Sequence, residues 1–139
     1  MITLKEVLKG ANPSPLSTEI HANLAKLVSS INNIASLYAK PMVVTSGLRT
    51  MEDHLRIYHE KAAREGKPFD PKKVPMKSMH LTGGAVDIAD PKKVLQAWCL
   101  ANEDKLKAAG LYCEAFSYTP TWVHFQILAP KSGKRFFIP

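Results

Sequence analysis

The longest run of periodic apolar positions lies in the first third of the chain. Apolar residues recur there at intervals of three and four, which predicts one helix from Ser17 to the break at Pro41. An apolar stripe of that length has to cover a sheet or another helix. Upstream of it, Thr3 and Glu6 have the spacing of a capping box, which predicts a short helix that ends at Gly10.

Two further helices are indicated by their end signals. Thr50 with Asp53 predicts the start of a helix that ends near Gly66. Asp90 followed by Pro91 is a favourable N-cap and first-turn pair, so we expect a fourth helix from there to Gly110. The segment 67–79 between these helices holds three prolines, and we expect an ordered loop of the kind that surrounds active sites.

Four short segments have the composition or alternation of strands: MVVTSG, AVDIA, LYCEAFS and TWVHFQIL. The helices cluster early and the strands late, which favours the α+β class. We therefore expect one domain over residues 1–139, with a small antiparallel sheet and helices packed on one of its faces.

Two of these strands carry metal-binding side chains on their polar faces. In AVDIA, Asp87 faces away from Val86 and Ile88, and in WVHFQIL, His124 shares a face with Trp122 and Gln126. If the two strands are neighbours, Asp87 and His124 converge on the open face of the sheet. Taken singly, a strand histidine such as His124 is more often a hydrogen-bonded or exposed residue than a metal ligand. Asp87 alone is compatible with a turn cap.

A third ligand comes from the loop before AVDIA. His80 can reach the same point because Gly83 and Gly84 permit a tight backbone path. Two imidazoles and one carboxylate leave a fourth zinc position open to water or substrate, which is the catalytic pattern. That set predicts metal-assisted hydrolysis, although the sequence holds no H-E-x-x-H.

The amino-acid composition narrows the kinds of molecule that the chain is expected to bind. The chain has 19 lysines and arginines against 12 acidic residues, for a net charge of +7, so its surface attracts anionic polymers. The basic residues are dispersed and no RNA-binding signature accompanies them, so we do not expect nucleic acid, and an anionic cell wall would explain the charge equally well. Cys99 and Cys113 lack metal-type spacing, which favours reduced, buried thiols over a disulfide. We expect no membrane span and no signal peptide.

The residues around the candidate ligands carry a family resemblance. Residues 78–87, SMHLTGGAVD, match the S-x-H-x-x-G-x-A-x-D pattern of the zinc D-alanyl-D-alanine carboxypeptidases and the phage L-alanyl-D-glutamate endopeptidases. The upstream SGLR resembles the S-G-[YL]-R turn of that superfamily, and WVHFQI resembles its second W-x-H strand. The resemblance covers about residues 17–128 and is greatest to short phage and prophage members, whose fold is related to the Hedgehog signalling domain.

The resemblance implies roles for single residues. His80, Asp87 and His124 would be the zinc ligands, and Arg49 would hold a carboxylate or carbonyl of the substrate peptide. Ser78 resembles a family position close to the metal that contacts substrate, although a role in the backbone turn is equally compatible with its place.

The chain departs from the family at the general base. Many relatives have an acidic residue three positions before the last histidine or a histidine two before it, and Thr121 and Trp122 stand there. Glu114 on the preceding strand is our candidate base, if the strand register brings it to His124, and Asp90 is a weaker one. The alternative for Glu114 is a partly exposed residue of an edge strand.

Together these observations predict a zinc metallopeptidase that acts on peptidoglycan, either an endolysin-type endopeptidase or a D,D-carboxypeptidase of bacteriophage origin. We expect a monomer that is made in the host cytoplasm and reaches the cell wall after release, or is carried in the virion. The alternatives are a non-catalytic zinc- or wall-binding module, motivated by Thr121 and Trp122, and a phage structural or assembly protein on the same fold.

Overall fold

The computed structural model describes residues 2–8, 18–48, 51–73 and 79–139. Within these ranges it has five α-helices and five strands. The helices are α1 (Leu4–Leu8), α2 (Thr18–Tyr38), α3 (Met51–Arg64), α4 (Val94–Ala101) and α5 (Glu103–Ala109). The strands are β1 (Val44–Ser46), β2 (Ala85–Ala89), β3 (Tyr112–Glu114), β4 (Trp122–Gln126) and β5 (Phe136–Phe137). Two 3-10 helices, Pro71–Lys73 and Met79–Thr82, lie between α3 and β2.

The strands form one sheet in the order β1-β2-β4-β3-β5. The pairs β1 with β2, β2 with β4, and β3 with β4 are antiparallel, in agreement with the small antiparallel sheet that we predict. The terminal strand β5 is an addition that the sequence did not predict, and it runs parallel to β3. The α+β class is confirmed.

The sheet is covered by α2 through one continuous core. The inward residues of the helix, among them Leu24, Leu27 and Ile31, belong to the same buried cluster as Val86 and Phe125 of the central strands. Burying a side chain of this kind contributes about 1.5–3 kcal/mol. This core fixes which face of β2 and β4 turns away from it, and hence where Asp87 and His124 lie.

The first helix begins with the predicted capping box. The backbone N–H of Glu6 donates to Thr3 Oγ1 at 3.2 Å, and the backbone N–H of Thr3 donates to Glu6 Oε1 at 3.2 Å. This short helix is tied to α2 because Asn32 accepts a hydrogen bond from the backbone N–H of Ile2 and donates one to its carbonyl. The predicted end of the helix at Gly10 lies outside the described residues, as does the predicted start of α2 at Ser17.

The prediction of one helix from Asp90 to Gly110 was wrong at its start and in its middle. The helix begins at Val94, after Lys93 in a left-handed conformation (φ 60°), although the Asp90 carboxylate still accepts hydrogen bonds from the backbone N–H groups of its first turn. At Asn102 the backbone leaves the helical region (φ −128°). The Asn102 side-chain amide donates to the carbonyl of Trp98 at 2.9 Å, so α4 and α5 are separate helices.

No helix in the described part of the chain is both long and apolar enough to cross a membrane.

Candidate metal centre

Asp87 and His124 are directly opposite each other on the two central strands. Their Cα atoms are register partners in the β2–β4 ladder. Both side chains point to the face of the sheet away from the α2 core, because the neighbouring residues Val86, Ile88 and Phe125 fill the core. Cross-strand partners of this kind bring their side chains within contact distance.

His80 approaches from the 3-10 helix that precedes β2. The chain then turns through Gly83, which has a φ of +76° and a close approach to α2: a Cβ there would lie 3.0 Å from Leu24 Cγ and 3.2 Å from the carbonyl oxygen of Ile20. A positive φ and this tight contact both favour glycine. The turn thus directs the His80 ring towards Asp87, where it is buried.

The three side chains meet at the Asp87 carboxylate. The Nδ1 atom of His124 is 2.9 Å from Asp87 Oδ1, and the Nε2 atom of His80 is 3.3 Å from the same oxygen. One ligand atom from each residue lies within 4.8 Å of the others, and all three residues are buried. Two imidazole nitrogens and one carboxylate oxygen are the ligand types that zinc prefers, and three protein ligands leave one tetrahedral position open. The group fits a metal ion.

The ring of His80 is oriented by a backbone carbonyl. Its Nδ1 atom lies 2.9 Å from the carbonyl oxygen of Gly47, in the turn after β1. Because a carbonyl only accepts, Nδ1 carries the proton and Nε2 is the atom that faces Asp87. We call the ring nitrogen that faces away from the metal position the rear nitrogen. A hydrogen bond from the rear nitrogen is the usual way in which a metal-binding histidine is held.

Charge interactions between Asp87 and the histidines stabilise this arrangement in the absence of a metal. Burial alone raises the pKa of the Asp87 carboxyl, but the adjacent rings of His124 and His80 outweigh it and hold that pKa well below its usual range. For His124, burial lowers the pKa of the ring, and the hydrogen bond and charge of Asp87, with a smaller effect of Glu114, raise it above its ordinary value. The two residues form an ion pair over the weakly acidic range.

Glu114 lies at the edge of this group. Its Oε1 atom is 4.0 Å from Nε2 of His124. The β3–β4 register pairs Cys113 with Phe125, and Glu114 and His124 are the adjoining residues of the two strands. The hairpin pairing therefore brings Glu114 to the face that the sequence predicts. The carboxylate faces the Nε2 edge of the ring, whereas Asp87 contacts the Nδ1 edge.

The remaining predicted site residues are Arg49, Ser78 and Asp90. Arg49 and Ser78 lie outside the described residues. Asp90, the weaker candidate for a base, is buried, and both of its oxygens accept hydrogen bonds from the backbone of α4. Asp90 is therefore a helix cap.

Two residues of the site were not recognised in the sequence. The carbonyl of Gly47 holds His80, and the side-chain amide of Gln126 contacts Nε2 of His124 at 2.9 Å. Strand alternation puts Gln126 on the same face as His124, so the signal for it was present. Nothing in the sequence marks a particular backbone carbonyl as an acceptor.

Comparisons with known proteins add little to this geometry. No protein-family model matches the chain, and no curated protein matches it either. Among solved structures, the chain is similar to the L-Ala D-Glu endopeptidase ChiX of Serratia marcescens, with 21% sequence identity and a TM-score of 0.49, over 87% of this chain and 95% of that one. A likeness of this extent carries no argument about function, so the role of the chain rests on its own residues.

Proposed function

We propose that the protein is a zinc-dependent peptidase that hydrolyses a peptide bond in the stem or cross-link peptides of the bacterial cell wall. The observation that carries the proposal is that His80, Asp87 and His124 lie together in one buried group that could hold a metal ion. The same residues belong to segments that match the sequence pattern of the zinc D-alanyl-D-alanine and L-alanyl-D-glutamate peptidases. The net charge of +7 is suited to an anionic wall.

The ligand residues would hold zinc through Nε2 of His80, the Asp87 carboxylate and Nδ1 of His124. A zinc ion held there supplies Lewis-acid activation of a peptide carbonyl and of water. Arg49 would bind a carboxylate or carbonyl of the substrate peptide through its rigid guanidinium fork, and Ser78 would contact the substrate beside it.

Glu114 is our proposal for the proton carrier. Its carboxylate would accept the proton that the attacking water loses and return it to the leaving amine nitrogen. To do so it has to rotate from the Nε2 edge of the His124 ring to the Nδ1 edge, and its side chain is 24% exposed, so it is not locked in the core. A general base in this position is worth about a hundredfold to ten-thousandfold in rate.

The test compares metal content and peptidase activity on purified peptidoglycan. We expect one zinc per chain and zinc-dependent release of new amino termini, both lost in His80→Ala and retained in the control His21→Ala, whose histidine is exposed on α2. Glu114→Gln should retain zinc and lose about a hundredfold or more in kcat, whereas Glu103→Gln, an exposed glutamate of α5, should retain activity. A chain that binds no zinc would contradict the proposal.

A non-catalytic wall-binding module is the second candidate. It is favoured by Thr121 and Trp122 at the positions where relatives carry a base, and by the placement of Glu114 at the Nε2 edge. Zinc-loaded protein that binds wall but releases no amino termini would identify this module. A phage structural or assembly protein would instead be present in particles in fixed stoichiometry and have no lytic effect.

A further inference from the structure

The Gln126 side chain bridges His124 and a backbone carbonyl. Its Oε1 atom is 2.9 Å from Nε2 of His124, and its own Nε2 donates to the carbonyl oxygen of Leu128 at 2.8 Å. Gln126 and His124 are both buried, and they are two residues apart on the same face of β4. The contact is therefore enclosed and does not depend on a flexible surface side chain.

The Leu128 carbonyl decides which way the amide points. A carbonyl oxygen accepts and never donates, so the NH₂ end of Gln126 has to face Leu128 and the oxygen end has to face His124. An amide oxygen accepts only, and therefore Nε2 of His124 has to carry a proton. Nδ1 is then the ring nitrogen left for a metal ion, and it is the one beside Asp87.

Glu114 does not replace Gln126 in this role. At 4.0 Å, its carboxylate is beyond hydrogen-bond distance from Nε2 of His124. Gln126 is also held at its far end, whereas the Glu114 side chain is partly exposed. The amide is thus the group that fixes the ring.

We propose that Gln126 is a positioning residue that keeps the proton on Nε2 of His124 and so presents Nδ1 to the metal. This role rests on the proposed zinc site. With this role for Gln126, the two histidines are held in the same way. Each has a neutral oxygen at its rear nitrogen, which is the Gly47 carbonyl for His80 and the Gln126 amide for His124. Removing such a partner typically lowers metal affinity about 10- to 100-fold.

The test uses two buried glutamines in the same fold. Gln126→Met keeps the size of the side chain and removes the acceptor, and we expect zinc affinity, measured by chelator competition, to fall about 10- to 100-fold. Gln96→Met is the matched control, because Gln96 is 7% exposed like Gln126 and donates to the carbonyls of Thr119 and Trp122 without contacting the site. We expect this control to lose stability and retain zinc affinity.

A spectroscopic measurement on the wild type keeps the inference testable if Gln126→Met does not fold. Long-range ¹H–¹⁵N correlation spectra of the zinc-loaded protein distinguish a protonated ring nitrogen from a metal-bound one. We expect a proton on Nε2 of His124 and zinc on Nδ1. Zinc on Nε2, or equal zinc affinities of the two variants, would overturn the role of Gln126 and leave the zinc site intact. A wild type that binds no zinc would overturn both.

Discussion

Substitution of Gly47 by alanine tests whether the turn after β1 supports the metal centre through its backbone. A Cβ atom at Gly47 would lie 2.0 Å from the carbonyl oxygen of Val7 and 2.8 Å from its carbonyl carbon. Real Cβ contacts are essentially never shorter than 3.0 Å, so the turn and α1 have to separate by about 1 Å. The backbone hydrogen bond from Leu48 to Val7, now 2.8 Å, would be strained by the same movement.

The expected cost has two parts. Overpacking of a well-packed region costs about 1–3 kcal/mol, and loss of one backbone hydrogen bond adds about 0.5–1.5 kcal/mol. We therefore expect the free energy of unfolding to fall by about 1.5–4.5 kcal/mol. The same displacement moves the Gly47 carbonyl, which is 2.9 Å from Nδ1 of His80. We expect zinc affinity to fall about 10- to 100-fold as well, since a rear-nitrogen partner is lost.

Urea unfolding of the metal-free protein measures the first effect, and chelator competition on the folded protein measures the second. Gly133→Ala is the control: its φ is +70°, but a Cβ there meets nothing within 4 Å. It should cost about 1–2 kcal/mol of backbone strain and leave zinc affinity unchanged. If Gly47→Ala is as stable as the wild type, the steric argument is refuted, and if it binds zinc like the wild type, the role of the carbonyl is refuted.

Two further predictions concern the metal and the pH. With free zinc at about 100 times its Kd, binding stabilises the fold by about 2.7 kcal/mol. Removal of zinc by a chelator should therefore lower the unfolding temperature in a thermal scan. A wild type whose unfolding temperature responds to the chelator no more than that of His80→Ala would contradict this. In the metal-free protein, the lowered pKa of Asp87 contributes stability that is present above its unfolded pKa of about 3.9 and is lost as the pH falls below it. The raised pKa of His124 contributes stability that is present below about 6.5 and is lost as the pH rises through its folded pKa. Urea unfolding across this range should show the largest difference in free energy of unfolding between wild type and Asp87→Asn between about pH 4 and 6.5. A difference that stays constant below pH 4 would refute the ion pair.

The elements that the sequence predicted well are those with a strong local or periodic signal. The capping box of α1 and the body of α2 depend on contacts within one helix and on one apolar stripe, so a linear pattern records them. The common face of Asp87 and His124 follows from period-two alternation once the strands are neighbours, whereas their direct opposition is seen only in the structure.

The features that the sequence missed depend on distant contacts. The strand β5 is two residues long, and it exists because the backbone N–H of Cys113 donates to the carbonyl of Arg135 at 2.8 Å and that of Ala115 donates to the carbonyl of Phe137 at 2.7 Å. No period can appear in two residues. The break at Asn102 likewise reflects one side-chain hydrogen bond inside an otherwise helical pattern.

The apolar face of the sheet also fixes the geometry of the metal centre. A slip of one residue between β2 and β4 would separate Asp87 from His124, and a slip within either strand would turn its ligand into the core. That slip is opposed by Val86, Ile88 and Phe125, which are at most 1% exposed and would all have to leave the core together. The residues that stabilise the fold therefore hold the two ligands opposite each other, and only the orientation of each histidine ring is left to Gly47 and Gln126. For this reason we expect Gln126→Met to lower zinc affinity while Asp87 and His124 stay opposite each other.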